Sequence, residues 1–221
     1  MGCENMLPPF RHGSSLEDPL TLGDLPQMMS WGGKIAYLDR DGVLNKWKDD
    51  YVNSPEELEL LPSSGKAIGS LRRMGFRICL VTNQSPIGRG IWGHETLAEI
   101  HDRLQSLLIK DDSDAELDLI LYSPYMPEDS SWSRKPNPGM LEAGRQLLEN
   151  AHKYPGKKTS LSFGDDWLDR PSELGSFLVG DRESDIFAAD RFGVKGVICN
   201  SDSGIASVIN EIISSRGGEI Q

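Results

Sequence analysis

Five short apolar runs, separated by stretches of helical periodicity, constrain the fold of this chain more than any other feature. The runs are KIAYL (34–38), FRICLVT (76–82), LDLILYS (117–123), SFLVG (176–180) and KGVIC (195–199). Between the first two, residues 63–75 place Ala67, Ile68, Leu71 and Met74 at helical spacing and stop at Gly75. Residues 94–109 put Leu97, Ile100, Leu104, Leu107 and Leu108 on one face. In 137–150, Asn137 is placed as N-cap with Pro138 at the first helical position. A fourth helix, SDIFAADRFG, joins the last two runs. Strands this uniformly apolar need cover on both sides. The pattern therefore predicts an α/β fold, a Rossmann-like parallel sheet of about five or six strands with helices on both faces.

The 221 residues suit one domain, 34–221, preceded by an N-terminal extension, 1–33. That extension mixes Pro, Gly and Ser without a period and reads as partly disordered or irregular. Residues 152–175 are long and polar for a helix-to-strand connection and read as a surface excursion. Net charge is −11, and the longest basic cluster is Lys157-Lys158, so nucleic acid and anionic membranes are disfavoured partners. Cys3, Cys79 and Cys199 lie far apart with no CxxC pair, which reads as free thiols in a reducing compartment. No run approaches 18 apolar residues and the N-terminus lacks signal-peptide order, so a cytoplasmic location is expected.

In an open parallel sheet, ligands bind beyond the C-terminal ends of the strands. Four clusters fall there: Asp39 and Asp41 in DRDGVLN, TNQSPIGRG (82–90), RKPNPG (134–139) and GDRESD (180–185). Each alone could be a turn or a solvated charge; all four in this order point to one site. Two carboxylates as close as Asp39 and Asp41 call for positive charge between them. With Asp181 they offer hard oxygen ligands for Mg²⁺. Thr82 offers a hydroxyl, Asn83 backbone N–H groups and Lys135 a point charge, an anion cradle beside the metal. Metal, cradle and free carboxylate together suit phosphoryl transfer, and no GxxxxGK[ST] loop points to an NTP-driven machine. Arg89 is open between a phosphate contact and a solvated charge, and His101 reads as a packed residue, not a ligand.

DRDGVLN, TNQS, RKP and GD(x)₃D in this order resemble the haloacid dehalogenase (HAD) superfamily of phosphatases. Within it, the fuller set is most similar to the D-glycero-D-manno-heptose-1,7-bisphosphate and histidinol-phosphate phosphatases, over about residues 34–200. The resemblance implies a Mg²⁺-dependent phosphomonoester hydrolase working through an aspartyl-phosphate. Asp39 would be the nucleophile and Asp41 the acid and base. Thr82 and Lys135 would hold the phosphoryl group, Asp181 would complete the metal site, and Asp185 would be a supporting acid. Asp49, Asp50, Tyr51, Asn83, Gln84, Ser85, Arg134 and Arg182 would contact the substrate. Tyr51 matches a Gly-Tyr-Val of that subfamily, with Asp50 in place of the glycine.

One departure concerns a structural zinc that many members hold with Cys-x-His and Cys-x-Cys. Here those places read Ser123-Pro124-Tyr125 and Ser131-Trp132-Ser133, so no structural zinc is expected and Tyr125 and Trp132 are expected to order the loop by packing. About 20 residues separate Asn45 from the next helix, leaving minimal or no cap and arguing against a phosphomutase. The resulting expectation is a heptose-bisphosphate 7-phosphatase-like sugar phosphatase, acting on a small phosphate ester as a monomer or weak homodimer. Histidinol phosphate is the near alternative. A polynucleotide 3′-phosphatase is disfavoured by the charge, and a non-catalytic binding protein by the intact motif residues.

Overall fold

The computed structural model describes residues 6–214; Cys3 and the first residues of the extension lie outside them. Its sheet has six strands: β1 (Phe10–Arg11), β2 (Ile35–Leu38), β3 (Arg77–Asn83), β4 (Leu119–Ser123), β5 (Phe177–Gly180) and β6 (Lys195–Ile198). Their order is β1-β4-β3-β2-β5-β6. The five runs singled out in the sequence form β2 to β6, all parallel. The sixth strand is a difference from an all-parallel sheet. β1 pairs antiparallel with β4, placing Phe10 opposite Tyr122.

Side chains alternate across the strands, so each face meets its own helices. Ala36 and Leu38 of β2 point into a cluster with Ile68 and Leu71 of α1 (Ser64–Arg73) and with Ile100, Leu104 and Leu108 of α3 (His94–Asp111). Ile35 and Tyr37 point the other way. They meet Leu141 and Leu147 of α4 (Gly139–Lys153) and Ala188 and Phe192 of α5 (Glu183–Phe192). α2 (Ser85–Gly88) is a single turn after β3, and α6 (Ile209–Ser214) ends the described chain. Both Cys79 and Cys199 are free and buried. His101 is fully buried, its pKa pushed down by burial.

α4 begins at Gly139 with Pro138 as N-cap, one residue later than the sequence suggests. Asn137 is used elsewhere, its Nδ2 donating to Ser131 O at 3.0 Å. Little of residues 12–33 is regular, yet Leu20, Leu25 and Trp31 are buried in the α4/α5 layer, so this stretch packs onto the domain. Between Asn45 and α1 the only helical element is a 3₁₀ turn, Pro55–Glu57, and no separate cap stands there. No helix among the described residues is long and apolar enough to cross a membrane.

Candidate active site

Asp39 leaves the end of β2 with its N–H bonded to Val179 O (3.0 Å), so the strand ladder itself aims the residue. Its Oδ1 accepts from Arg40 N (2.8 Å) and lies 2.9 Å from Lys135 Nζ. Lys135 is buried, donates to Val81 O (2.8 Å), and also meets Asp185 Oδ1 at 2.5 Å. A reciprocal pair of bonds fixes its backbone: Asn83 Nδ2 donates to Lys135 O (3.0 Å), and Lys135 N donates to Asn83 Oδ1 (3.1 Å).

Oxygens of Asp39, Asp181 and Asp185 lie within 4.8 Å of one another. Burial pushes the Asp39 carboxyl up to about 6, against the pull of Lys135. Burial also raises Asp181, opposed by Arg182 and reinforced by Asp185. For Lys135, burial works against the ammonium, but Asp185 and Asp39 outweigh it and hold its pKa above the ordinary range. One lysine among three carboxylates leaves an excess of buried negative charge. Asp181 Oδ1 is buried with no hydrogen-bond partner. Gly42, at φ +76°, permits this approach, since a Cβ there would lie 2.4 Å from Asp181 Oδ2. Hard oxygens, surplus charge and an orphaned acceptor fit a divalent cation.

Asp41 stands apart from this group. The sequence places it in the metal set with Asp39 and Asp181, whereas the structure gathers Asp185 there instead. The Asp41 carboxylate accepts from Arg40 (2.9 and 3.0 Å), Asn45 Nδ2 (2.8 Å) and Gln84 Nε2 (3.2 Å). Burial would raise its pKa, but Arg40 and these donors hold it below the usual carboxylate range. The arginine between the two aspartates, 1% exposed, is thus the counter-charge of one of them.

These groups floor a cavity of about 560 Å³. Asp39, Asp41, Thr82, Asn83, Ser85 and Lys135 line it, joined by Asp49, Tyr51, Arg134 and Arg182. Two expected substrate contacts do not line it. Gln84 is buried with its amide tied to Thr82 Oγ1 (2.9 Å) and Asp41, and Asp50 is exposed with its carbonyl accepting from Asn53 (2.8 Å). Tyr51 has a φ of +70°, a conformation that costs a tyrosine of order 1–3 kcal/mol. Trp47 also lines the cavity, with the Arg182 guanidinium 5.9 Å over its ring. Nothing in its sequence surroundings marks it. Arg134 is lowered by burial and then by the nearby Arg89 and Arg182, so three guanidinium groups share the rim with Glu128 as a nearby counter-charge.

A nucleophilic carboxylate, a buried lysine and a carboxylate trio at the strand ends of a doubly covered sheet define a HAD-type phosphoryl site. No protein-family model matches the chain. It is 34% identical over 174 residues to the D-glycero-beta-D-manno-heptose-1,7-bisphosphate 7-phosphatase of Pseudomonas aeruginosa, covering 79% of this chain and 85% of that one. The D,D-heptose 1,7-bisphosphate phosphatase of B. bronchiseptica, solved with magnesium and phosphate, superposes with a TM-score of 0.64 at 28% identity, over 82% of this chain and 99% of that one. A HAD-like protein of Mesorhizobium loti shares the fold with a TM-score of 0.59 at 24% identity, over 96% of each chain. The chain belongs to the HAD heptose-1,7-bisphosphate phosphatase family.

Proposed function

We propose that this enzyme hydrolyses the 7-phosphate of D-glycero-D-manno-heptose 1,7-bisphosphate through an aspartyl-phosphate on Asp39. The observation that carries the reading is the pairing of an anionic, cation-ready floor with an arginine-lined rim. A monophosphate needs only the floor; a second phosphate gives the rim arginines something to bind. The relatives named above act on such a bisphosphate.

With Oδ1 of Asp39 held by Arg40 N–H and Lys135, Oδ2 is the oxygen left to attack phosphorus. The new Asp39–phosphorus bond forms as the bond to the sugar oxygen breaks, and that oxygen takes a proton from Asp41. Arg40, Asn45 and Gln84 hold Asp41 ionised in the free chain. An arriving phosphoryl dianion supplies the like charge that raises its proton affinity. In the second half Asp41 accepts a proton from the water that attacks phosphorus, and Asp39 is restored as phosphate leaves. Thr82 and Lys135 steady the transferring oxygens. Asp39 and Asp181, with Asp185 beside them, would hold Mg²⁺, which supplies charge neutralisation to the phosphoryl group.

The loop beside the site is read as zinc-free. Ser131 Oγ and Ser133 Oγ lie 2.9 Å apart, and Ser133 Oγ is 3.5 Å from Ser123 Oγ, so hydroxyls fill the interior where thiolates would bind a metal. The test of function is phosphate release from the heptose bisphosphate, from histidinol phosphate and from a 3′-phosphorylated oligonucleotide, each with and without Mg²⁺. Mg²⁺-dependent release fastest from the bisphosphate is expected. Preference for either other substrate would overturn the assignment.

A further inference from the structure

We propose that the N-terminal arm, residues 7–11, is a positioning element of the substrate pocket: it holds loop 124–133 so that Arg134 is presented to the distal part of the substrate. The loop supplies Pro127, Ser130 and Ser131 to the cavity wall and leads into Arg134. Its two ends are anchored within the domain. Gly88 N donates to Pro124 O (3.1 Å) at one end, and Asn137 Nδ2 donates to Ser131 O at the other.

Between those anchors the loop leans on the arm. Tyr125 Oη donates to Pro8 O (3.1 Å), and Ser131 Oγ donates to Leu7 O (3.3 Å). Tyr125 is also the residue whose carbonyl accepts from Arg134 Nη1 (2.9 Å). The guanidinium is therefore oriented by a carbonyl whose own residue is tied to the arm. The arm in turn is set by the sheet. β1 pairs with β4, His12 N donates to Ile120 O (3.1 Å), and Phe10 packs its ring against His94 (4.7 Å), Tyr122 (5.8 Å) and Tyr125 (6.4 Å). The register of an edge strand thus reaches the specificity side of the pocket through two side chains. Asp39 and Lys135 are held by β2, β3 and Asn83, none of which touches this path. Loosening the arm should therefore alter how the rim grips substrate and leave the chemistry as it is.

The inference rests on the proposed substrate only for the choice of a ligand that engages Arg134. It is tested in the full chain with Tyr125→Phe, which removes one oxygen, and Phe10→Ala, with Phe10→Tyr as the conservative control. For both test variants KM for the heptose bisphosphate should rise about fivefold, the order expected for one lost hydrogen bond, with kcat within about twofold. Turnover of p-nitrophenyl phosphate, which has nothing for Arg134 to hold, should be unchanged, and Phe10→Tyr should behave as wild type. Hydrogen exchange should quicken at residues 125–134 and stay unchanged in β3 and α4. Equal losses on both substrates, or unchanged exchange at 125–134, would overturn the positioning role. Should Phe10→Ala fail to fold, Tyr125→Phe decides alone. If the wild type ignores the bisphosphate, the substrate assignment fails, and the exchange comparison still decides the role of the arm.

Discussion

Asp39→Asn should abolish turnover and at the same time stabilise the metal-free protein. In the fold the carboxyl is pushed up to about 6 from an ordinary 3.8, chiefly because it is buried. A folded-state pKa above the unfolded one means the unfolded chain gives up the proton first. Asp39 therefore costs nothing below about pH 4, and its penalty grows as pH rises through 6. About two units at 1.36 kcal/mol each put that penalty near 3 kcal/mol above pH 6, as an order of magnitude. Asparagine is neutral at every pH, and Lys135 keeps Asp185 as its partner at 2.5 Å. Urea unfolding in EDTA should thus show the variant more stable by up to about 3 kcal/mol at pH 7.5, with a midpoint roughly 5–10 °C higher on heating. The difference should vanish near pH 4. Added Mg²⁺ should stabilise the wild type more than the variant, closing the gap, because a cation that binds only the folded state shifts stability by mass action. If Asp39→Asn is the less stable protein at pH 7.5 without metal, then burial does not dominate this carboxyl and the surplus-charge argument for a cation falls with it.

Asp41→Asn should lower kcat by roughly 10²–10⁴, read by steady-state phosphate release, and a near-wild-type rate would assign the proton to another group. Arg134→Ala should raise KM for the bisphosphate and leave p-nitrophenyl phosphate untouched, while Lys135→Ala should lower kcat on both; identical profiles for the two variants would show that Arg134 has no separate role. Elemental analysis of the purified protein should find no stoichiometric zinc, and one tightly held zinc per chain would contradict the hydroxyl-filled loop.

The parallel part of the sheet was legible because β2 to β6 are buried on both faces and so read as unbroken apolar runs. β1 was not, since two residues carry no periodicity and Phe10 pairs at an edge through backbone alone. The strand-end motifs located Asp39, Thr82, Lys135 and Asp181, because topology alone brings such positions to one rim. Which charges neutralise which was hidden. Spacing showed two acids flanking Arg40, but only the turn at Gly42 and the inward course of Arg40 give Asp41 an arginine and leave Asp39 to Lys135. Gln84 sits among residues that line the cavity, yet its amide is spent on Thr82 and Asp41, a matter of side-chain direction that sequence order does not carry. Trp47 and the arm's carbonyls at Leu7 and Pro8 escaped for the same reason: they act through where the backbone passes.

The charges of the pocket form two layers of opposite sign, and that layering accounts for how so open a site can be selective. At the floor, Asp39, Asp181 and Asp185 outnumber Lys135 and are buried, so an incoming phosphate is repelled until a cation offsets them. At the rim, Arg89, Arg134 and Arg182 repel one another, with Glu128 as a nearby counter-charge. A free monophosphate could rest against the rim without reaching the floor. A substrate carrying two phosphates on a sugar can satisfy both layers at once, and each contact removes a repulsion that the empty pocket retains. No inserted cap is needed to choose it, because the distance between rim and floor does the choosing. Anything that shifts the rim relative to the floor, Arg134 above all, should therefore change which phosphate esters bind well before it changes how fast they react.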